Sequence, residues 1–284
     1  MSKPIDWTVL GILEWGTSYF EERDVPSPRL SIEWLLADIL KVKRLDLYVQ
    51  FDRPLNQEAL NQLRSMVKRR ASHEPLQYIT GSTSFYNIVV VVNSSVLIPR
   101  PETEELVELI LNENQHEQLN VIDIGTGSGC IPIAISHERP KWNVVGIDIC
   151  DAALQTAKEN DKRNHTTVNF QNGDLFTPEN LPAGKWDIIV SNPPYIHEIE
   201  REGMDKQVKE FEPKLALFCK DRTMVYKSLK DYAEMTLKST GKLYLEIHED
   251  HPIEDENIFD KTHWNFKIER DLNHKRRFVI ASRI

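Results

Sequence analysis

Cysteine is scarce in this chain. Its 284 residues include three (Cys130, Cys150 and Cys219), far apart and without a Cys-x-x-Cys pair. That excludes a disulfide framework and a thiolate metal site, and points to reduced thiols in an intracellular protein. A surplus of positive charge is missing too: 35 Lys and Arg stand against 44 Asp and Glu, a formal net charge of −9. A protein that holds nucleic acid mainly by neutralising phosphates carries the opposite sign, so no direct nucleic-acid substrate is expected. No apolar run reaches the roughly 20 residues that span a bilayer. The longest, "IVVVVNSSVLI", is broken by Asn93-Ser94-Ser95 and reads as a hairpin. The opening "MSKPIDWTVL" lacks the basic-then-apolar pattern of a secretory leader. A soluble, cytoplasmic, monomeric protein with no membrane association is expected. The nine histidines form no evident metal cluster, and His248, His251 and His263 are expected at the surface rather than on a metal.

What is present divides the chain into three. Residues 1–74 carry helical periodicity. Ser27 is placed to cap a helix that begins at Pro28 and turns Ile32, Leu35, Leu36, Ile39 and Leu40 to one face. A second helix groups Leu60, Leu63 and Val67 and ends in basic residues, as a helix C-terminus prefers. Nothing in this bundle looks catalytic. Residues 75–98 are rich in β-formers around Asn93-Ser94-Ser95 and are expected to be a β-hairpin linker. Residues 99–284 open with an amphipathic helix, for which Thr103 is the expected cap. Strands and helices then alternate through "NVIDI", "NVVGIDI", "VNFQNGDLF", "DIIVSN" and "GKLYLEI", the signature of a parallel sheet with crossover helices. "WNFKIERDL" and "RRFVIASRI" close the chain with no helix between them, so an antiparallel end pair is expected. Seven strands in this pattern predict an α/β, Rossmann-like sheet of the class I methyltransferase kind, a pattern that other doubly wound folds share.

Glycine is concentrated where it matters. Of 11 in the chain, Gly125, Gly127 and Gly129 fall within "VIDIGTGSGC", between the first strand of that sheet and a helix. Three such residues suit backbone that approaches a ligand closely. The spacing is neither G-x-G-x-x-G nor a P-loop, which weakens both phosphate-cradling readings. Asp148 ends the second strand about twenty residues on, where a carboxylate can accept from both ribose hydroxyls. Asp151 is the better N-cap for the following helix, and Asp123 is expected to bond the N–H groups of the loop. "GDLF" (Gly173 to Phe176) stands where an adenine would be met. S-adenosylmethionine fits a loop that offers close approach without phosphate chemistry.

The fourth strand stops at Asn192-Pro193-Pro194-Tyr195, because paired prolines forbid a continuing central strand. Its end shares a rim with the glycine loop and Asp148. Methyl transfer to a planar nitrogen requires the N–H bonds to be gripped so that a delocalised lone pair can aim at the methyl group. The Asn192 side-chain oxygen and the Pro193 carbonyl are two fixed acceptors for that task. Tyr195 can pack on the planar group. No strong base is required, and the motif contains none.

The chain resembles the PrmC/HemK family, protein-(glutamine-N5) methyltransferases that modify the glutamine of the Gly-Gly-Gln motif in class 1 peptide chain release factors. The matching stretches are "PLQYITG", "VLIPRPETEELVE", "VIDIGTGSGCIPIAI", "GDLF", "IIVSNPPYI", "FEPKLAL" and "LYLEI". The resemblance implies that a helical N-terminal domain helps hold the release factor. It also implies S-adenosylmethionine at Gly125, Thr126, Gly127, Ser128, Gly129, Asp148, Leu175 and Asn192, with S-adenosylhomocysteine as product and no metal. The glutamine is implied at Asn192, Pro193, Pro194 and Tyr195. The chain departs from the family pattern at His248 and His251 ("LEIG…Q" in the family), at His274 and Arg276 ("GKDR") and at Phe85-Tyr86-Asn87 (Phe-x-Gly). Two rival readings keep parts of this. An adenine-N6 methyltransferase shares Asn-Pro-Pro-Tyr but needs a basic track and stacking aromatics. A module that binds the cofactor without turnover would not need the intact motif. A nicotinamide oxidoreductase is disfavoured by the glycine spacing.

Overall fold

A computed structural model describes residues 7–250, 253 and 258–284. His251 lies outside the described residues. Two compact units emerge, one running to Gly81 and taking in Asp205–Phe211, the other comprising Ser82–Met204 and Glu212–Ile284.

The first unit contains α1 (Val9–Glu21), α2 (Pro28–Leu40), α3 (Gln57–Ala71) and α4 (Leu76–Thr80). Thr8 accepts from Gly11 N at the start of α1, and Asn56 from Ala59 N at the start of α3. The apolar faces read from the sequence, Ile32, Leu35 and Leu36 of α2 and Leu63 and Val67 of α3, meet in one core, which Ile12, Leu13 and Phe20 of α1 complete. Ser27 does precede α2, but its backbone is left-handed (φ 50°) and its hydroxyl caps nothing. A capping side chain needs an extended backbone to reach the first-turn N–H groups.

The second unit opens with the hairpin of β1 (Ser82–Phe85) and β2 (Ile88–Val91), antiparallel with Phe85 opposite Ile88. The turn is therefore Tyr86-Asn87, not Asn93-Ser94-Ser95. Asn93 instead accepts from Ser95 N at 2.9 Å, a local turn that takes the chain out of any ladder. The linker expected over 75–98 also starts differently, since Leu76–Thr80 is helical. Asn160 fixes β2, donating to Val91 O and accepting from Val91 N.

Next come α5 (Pro101–Glu113), β3 (Asn120–Ile124), α6 (Cys130–Glu138), β4 (Asn143–Asp148), α7 (Asp151–Arg163), β5 (Asn169–Asn172) and β6 (Trp186–Ser191). Short elements follow: β7 (Ile196–His197), α8 (Lys206–Phe211, which belongs to the first unit), α9 (Lys214–Leu217) and β8 (Phe218–Cys219). The chain ends with α10 (Arg222–Thr236), β9 (Leu237–Glu246), β10 (Trp264–Arg270) and β11 (Arg276–Arg283).

Seven strands form one sheet in the order β10-β11-β9-β6-β3-β4-β5. β9, β6, β3, β4 and β5 are parallel neighbours, while β11 runs antiparallel to both β9 and β10. The α/β sheet with its antiparallel end pair is the one the sequence pattern predicts. Its inner strands carry buried apolar runs (Val121 and Ile122 in β3, Ile188, Ile189 and Val190 in β6), as both-face burial requires, with Asp123 of β3 buried among them. Tyr226, Leu229, Tyr232 and Ala233 of α10 pack on Ile122, Ile189, Leu243 and Leu245. β3 lies between β4 and β6, so its crossovers diverge and a crevice opens beyond the strand ends there.

Candidate active site

The loop after β3 is built by backbone bonds. Gly125 N and Thr126 N both donate to Ile147 O at 2.8 Å, and Gly127 N donates to Asp148 Oδ2 at 2.7 Å. All three glycines have left-handed backbones, with φ of 79°, 55° and 78°. They serve two purposes. A Cβ on Gly125 or Gly127 would stand in open space, and both residues line the cavity described below. A Cβ on Gly129 would lie 3.0 Å from carbons of Ala157, Ile133 and Phe170, so that glycine lets α6 pack.

Asp123, expected to bond the loop N–H groups, does not. Gly125 N and Thr126 N are taken by Ile147 O and Gly127 N by Asp148, and neither carboxylate oxygen of Asp123 has a hydrogen-bond partner. The residue is completely buried, and burial pushes its pKa up to about 7. The nearby Thr126 hydroxyl opposes part of that shift without being aligned for a hydrogen bond. Asp148 accepts from Gly127 N and, through Oδ1, from Cys150 N at 2.9 Å. A carboxylate has about four lone-pair sites, so it can still accept from a ligand. Burial raises its pKa, and the backbone N–H bonds offset part of the rise. Asp151 does not cap α7. Its Oδ1 accepts from Asn172 Nδ2 at 2.9 Å, which ties α7 to the end of β5.

Beyond the strand ends lies a cavity of about 390 Å³. It brings together Gly125, Thr126, Gly127, Ser128, Asp148, Leu175, Asn192, Pro193 and Pro194, whereas Gly129 and Tyr195 do not line it. Among the described residues lining it, Arg100 is the one cation, against Asp148 and Asp174. Arg100 is itself paired with the buried Glu212, whose other oxygen accepts from Ile98 N. That clamp joins two stretches of the cavity wall, residues 95–100 and 213–216.

This donor set fits S-adenosylmethionine. The lining is largely apolar, Asp148 has free lone pairs, the glycine backbone leaves room, and Arg100, the one cation among the described residues of the lining, is already paired with Glu212. Gly125, Gly127 and Asp148 would hold the nucleoside end, and Leu175 would pack on it.

At the end of β6, Ser191 Oγ donates to Ile124 O at 2.6 Å and ties that strand to β3. The next residue, Asn192, donates through Nδ2 to Thr103 Oγ1 at 3.1 Å. Thr103 in turn bonds Glu246 Oε2 at 2.8 Å. Thr103 is thus not the cap of α5. Arg100 occupies that position with Pro101 following, and the hydroxyl turns into the site. Glu246 is buried at 1 % exposure. Burial pushes its pKa up to about 7, opposed by Thr103 and Arg277. Tyr195 OH is 3.4 Å from Glu246 Oε1, a long contact, and its ring meets His248 edge-on at 5.9 Å. His248 is half-buried against that tyrosine, while His263 is exposed beside Asp260. Sequence reasoning misses Thr103 and Glu246 as parts of the site.

Comparison with known proteins agrees with this geometry. The PrmC N-terminal domain model matches residues 11–81, and the methyltransferase small domain model matches 102–210. A protein of Leptospira interrogans named release factor glutamine methyltransferase is 40% identical over 289 residues, 97% of this chain and 98% of its own length. The chain belongs to the release factor glutamine methyltransferase family. Another member, from Flavobacterium psychrophilum, is 36% identical, with 92% of this chain and 93% of its own covered. Among solved structures, a methyltransferase from Pyrococcus furiosus superposes with TM-score 0.51 at 16% identity, covering 70% of this chain and 90% of its own. The hMettl16 catalytic domain, solved with the MAT2A 3′UTR hairpin 1, gives 0.55 at 13% identity over 94% of this chain and 90% of its own. At such identities the likeness is one of fold, and the fold is that of the class I S-adenosylmethionine-dependent methyltransferases.

Proposed function

We propose that this chain transfers a methyl group from S-adenosylmethionine to the side-chain amide nitrogen (N5) of the glutamine in the Gly-Gly-Gln motif of class 1 peptide chain release factors, in support of translation termination. The observation that carries the reading is the anchored Asn192. Its amide is tied through Nδ2 to Thr103 on the wall of a cavity suited to a nucleoside sulfonium. When bound, the cofactor supplies an electrophilic methyl, and the electrons of its S–C bond go to sulfur to leave S-adenosylhomocysteine.

The protein's task is then positioning. Asn192 Oδ1 and the Pro193 carbonyl accept the two N–H bonds of the glutamine amide and hold its nitrogen lone pair on line. Pro193 and Pro194 stiffen the loop, so the acceptors need little rearrangement. Tyr195 backs the loop and orients the planar group. The nitrogen becomes acidic as its new bond forms, so its proton can leave to water without a strong base.

The helical unit of residues 1–74 recognises the release factor. Large apolar side chains on that unit (Leu30, Trp34, Leu45, Tyr48 and Val49) are exposed, which suits a protein partner. The enzyme works as a monomer in the cytoplasm, where release factors act, and uses no metal. Among the described residues no helix is long and apolar enough to cross a membrane.

The deciding experiment combines purified protein, methyl-labelled S-adenosylmethionine and an unmodified release factor, with a Gln→Ala factor as control. Label on the intact factor alone is expected. No label while the cofactor still binds would sink the reading and turn attention to adenine N6 in DNA or RNA.

A further inference from the structure

An asparagine amide has two ends of nearly the same shape, and only one is an acceptor. The proposed reaction needs the acceptor end to face the substrate. We propose that Thr103 and Glu246 form a relay that fixes which end of Asn192 is presented, and so act as positioning residues for methyl transfer. The inference rests on the function proposed above.

The geometry leaves one arrangement. Asn192 is 3.1 Å from Thr103 Oγ1, and Thr103 Oγ1 is 2.8 Å from Glu246 Oε2. A threonine hydroxyl has one proton, and an ionised carboxylate can only accept. Thr103 therefore gives its proton to Glu246 and keeps only lone pairs for Asn192. The end of Asn192 that meets it must be the NH₂, which leaves Oδ1 for the cavity that Asn192 lines. Thr103 and Glu246 are 2 % and 1 % exposed, so water does not stand in for either.

Several elements around Glu246 contribute a group. Thr103 and Glu102 come from α5, Cys130 from α6, Tyr195 from the proline loop, Tyr226 from α10 and Arg277 from β11. Burial and Glu102 oppose the charged form, whereas the hydrogen bonds and Arg277 favour it. Protonated Glu246 could itself donate to Thr103. The hydroxyl would then be free to donate to Asn192, and both ends of the amide would be held equally well. Turnover therefore falls on the acid side as Glu246 takes up its proton, while cofactor binding does not follow it.

The test uses the full chain with an unmodified release factor and labelled S-adenosylmethionine, comparing wild type with Thr103→Val, Thr103→Ser and Glu246→Gln. Cofactor affinity is measured by calorimetry and kcat from pH 5.5 to 8.5. Thr103→Val, which keeps shape and removes the hydroxyl, is expected to lower kcat roughly 10- to 100-fold, by analogy with the loss of a partner that orients a metal-binding side chain. Its cofactor affinity should stay within about threefold, and Thr103→Ser should recover most of the rate. Glu246→Gln should lose the acid limb of the kcat profile. The relay is overturned if Thr103→Val matches wild type, if Thr103→Ser is as slow as Thr103→Val, or if the acid limb of wild type persists in Glu246→Gln. Failure of wild type to methylate the factor would overturn the proposed function instead.

Discussion

Alanine at Gly127 and at Gly129 should separate the two purposes of the glycine loop. Both residues have left-handed backbones, so either alanine costs about 1–2 kcal/mol in strain. At Gly127 the new methyl meets nothing within 4 Å and stands beside the cavity. The Gly127 N–H bond to Asp148 survives, because the substitution leaves the backbone donor in place. At Gly129 the methyl lies 3.0 Å from three packed carbons, and overpacking adds about 1–3 kcal/mol. With about 2–4 °C per kcal/mol for a domain of this size, Gly127→Ala should lower Tm by roughly 2–8 °C and Gly129→Ala by roughly 4–20 °C. Affinity for S-adenosylmethionine should move in the opposite order. Gly127→Ala should weaken it at least about tenfold, or ~1.4 kcal/mol, and Gly129→Ala less than about threefold once the folded fraction is counted. Thermal scans and calorimetric titration read the two quantities separately. Equal losses of affinity in the two variants would refute the division of labour.

Asn192→Ala should lower kcat by about 10²–10³, the usual cost of losing one preorganised transition-state partner, while cofactor affinity changes little; single-turnover labelling and calorimetry check both. The ligand-free protein should be most stable somewhat on the acid side of neutrality. Asp123 and Glu246, both raised to about 7, favour the fold in their neutral forms, so their contribution is full below about pH 4 and is lost as pH rises to 7. Glu113 works the other way: burial alone would raise it, but Lys242, Lys267 and Tyr244 outweigh burial and lower it to about 2, so its contribution is lost as pH falls below its unfolded pKa. Thermal scans across pH 4–8 should therefore show Tm falling toward neutral pH, and Asp123→Asn should flatten that fall. His274→Gly should raise stability by up to about 1 kcal/mol, since His274 is exposed with φ 63° in the turn between β10 and β11, where the family pattern has glycine.

Much of the fold is legible in the sequence because it rests on local signals. The apolar faces of α2 and α3, the alternation of strand and helix, and the unlinked final strands each follow from periodicity over a few residues. The hairpin turn escapes such reading for a physical reason. Tyr86 takes a left-handed backbone, with φ 48°, at a position where glycine, asparagine or aspartate would have announced the turn. Asn93, which does look like a turn residue, forms one that ends the ladder rather than joining two strands. The attachment of Asp205–Phe211 to the helical unit is also hidden. It depends on Arg70, which bonds Ser31 within the bundle and Gln207 in that segment, and no local pattern marks such a pairing.

Thr103 and Glu246 escape for the same kind of reason, since 143 positions separate them in the chain. The polar bond between them has no periodicity, and Thr103 resembles a cap because caps and inward hydroxyls use the same residue type near the same end of a helix. Glu246 nevertheless leaves a trace that strand pairing makes visible. β6 and β9 are parallel neighbours, with Ser191 opposite Leu245. One step further along each strand stand Asn192 and Glu246, on the rim where ligands of such sheets bind. A strand whose buried run Leu243-Tyr244-Leu245 ends on a glutamate carries a charge where burial is costly, and the five residues "LYLEI" already display that conflict. The carboxylate is tolerated there because the hydroxyl of Thr103 and the charge of Arg277 support it. Its position beside the proline loop then gives Asn192 a fixed orientation that the loop alone could not supply.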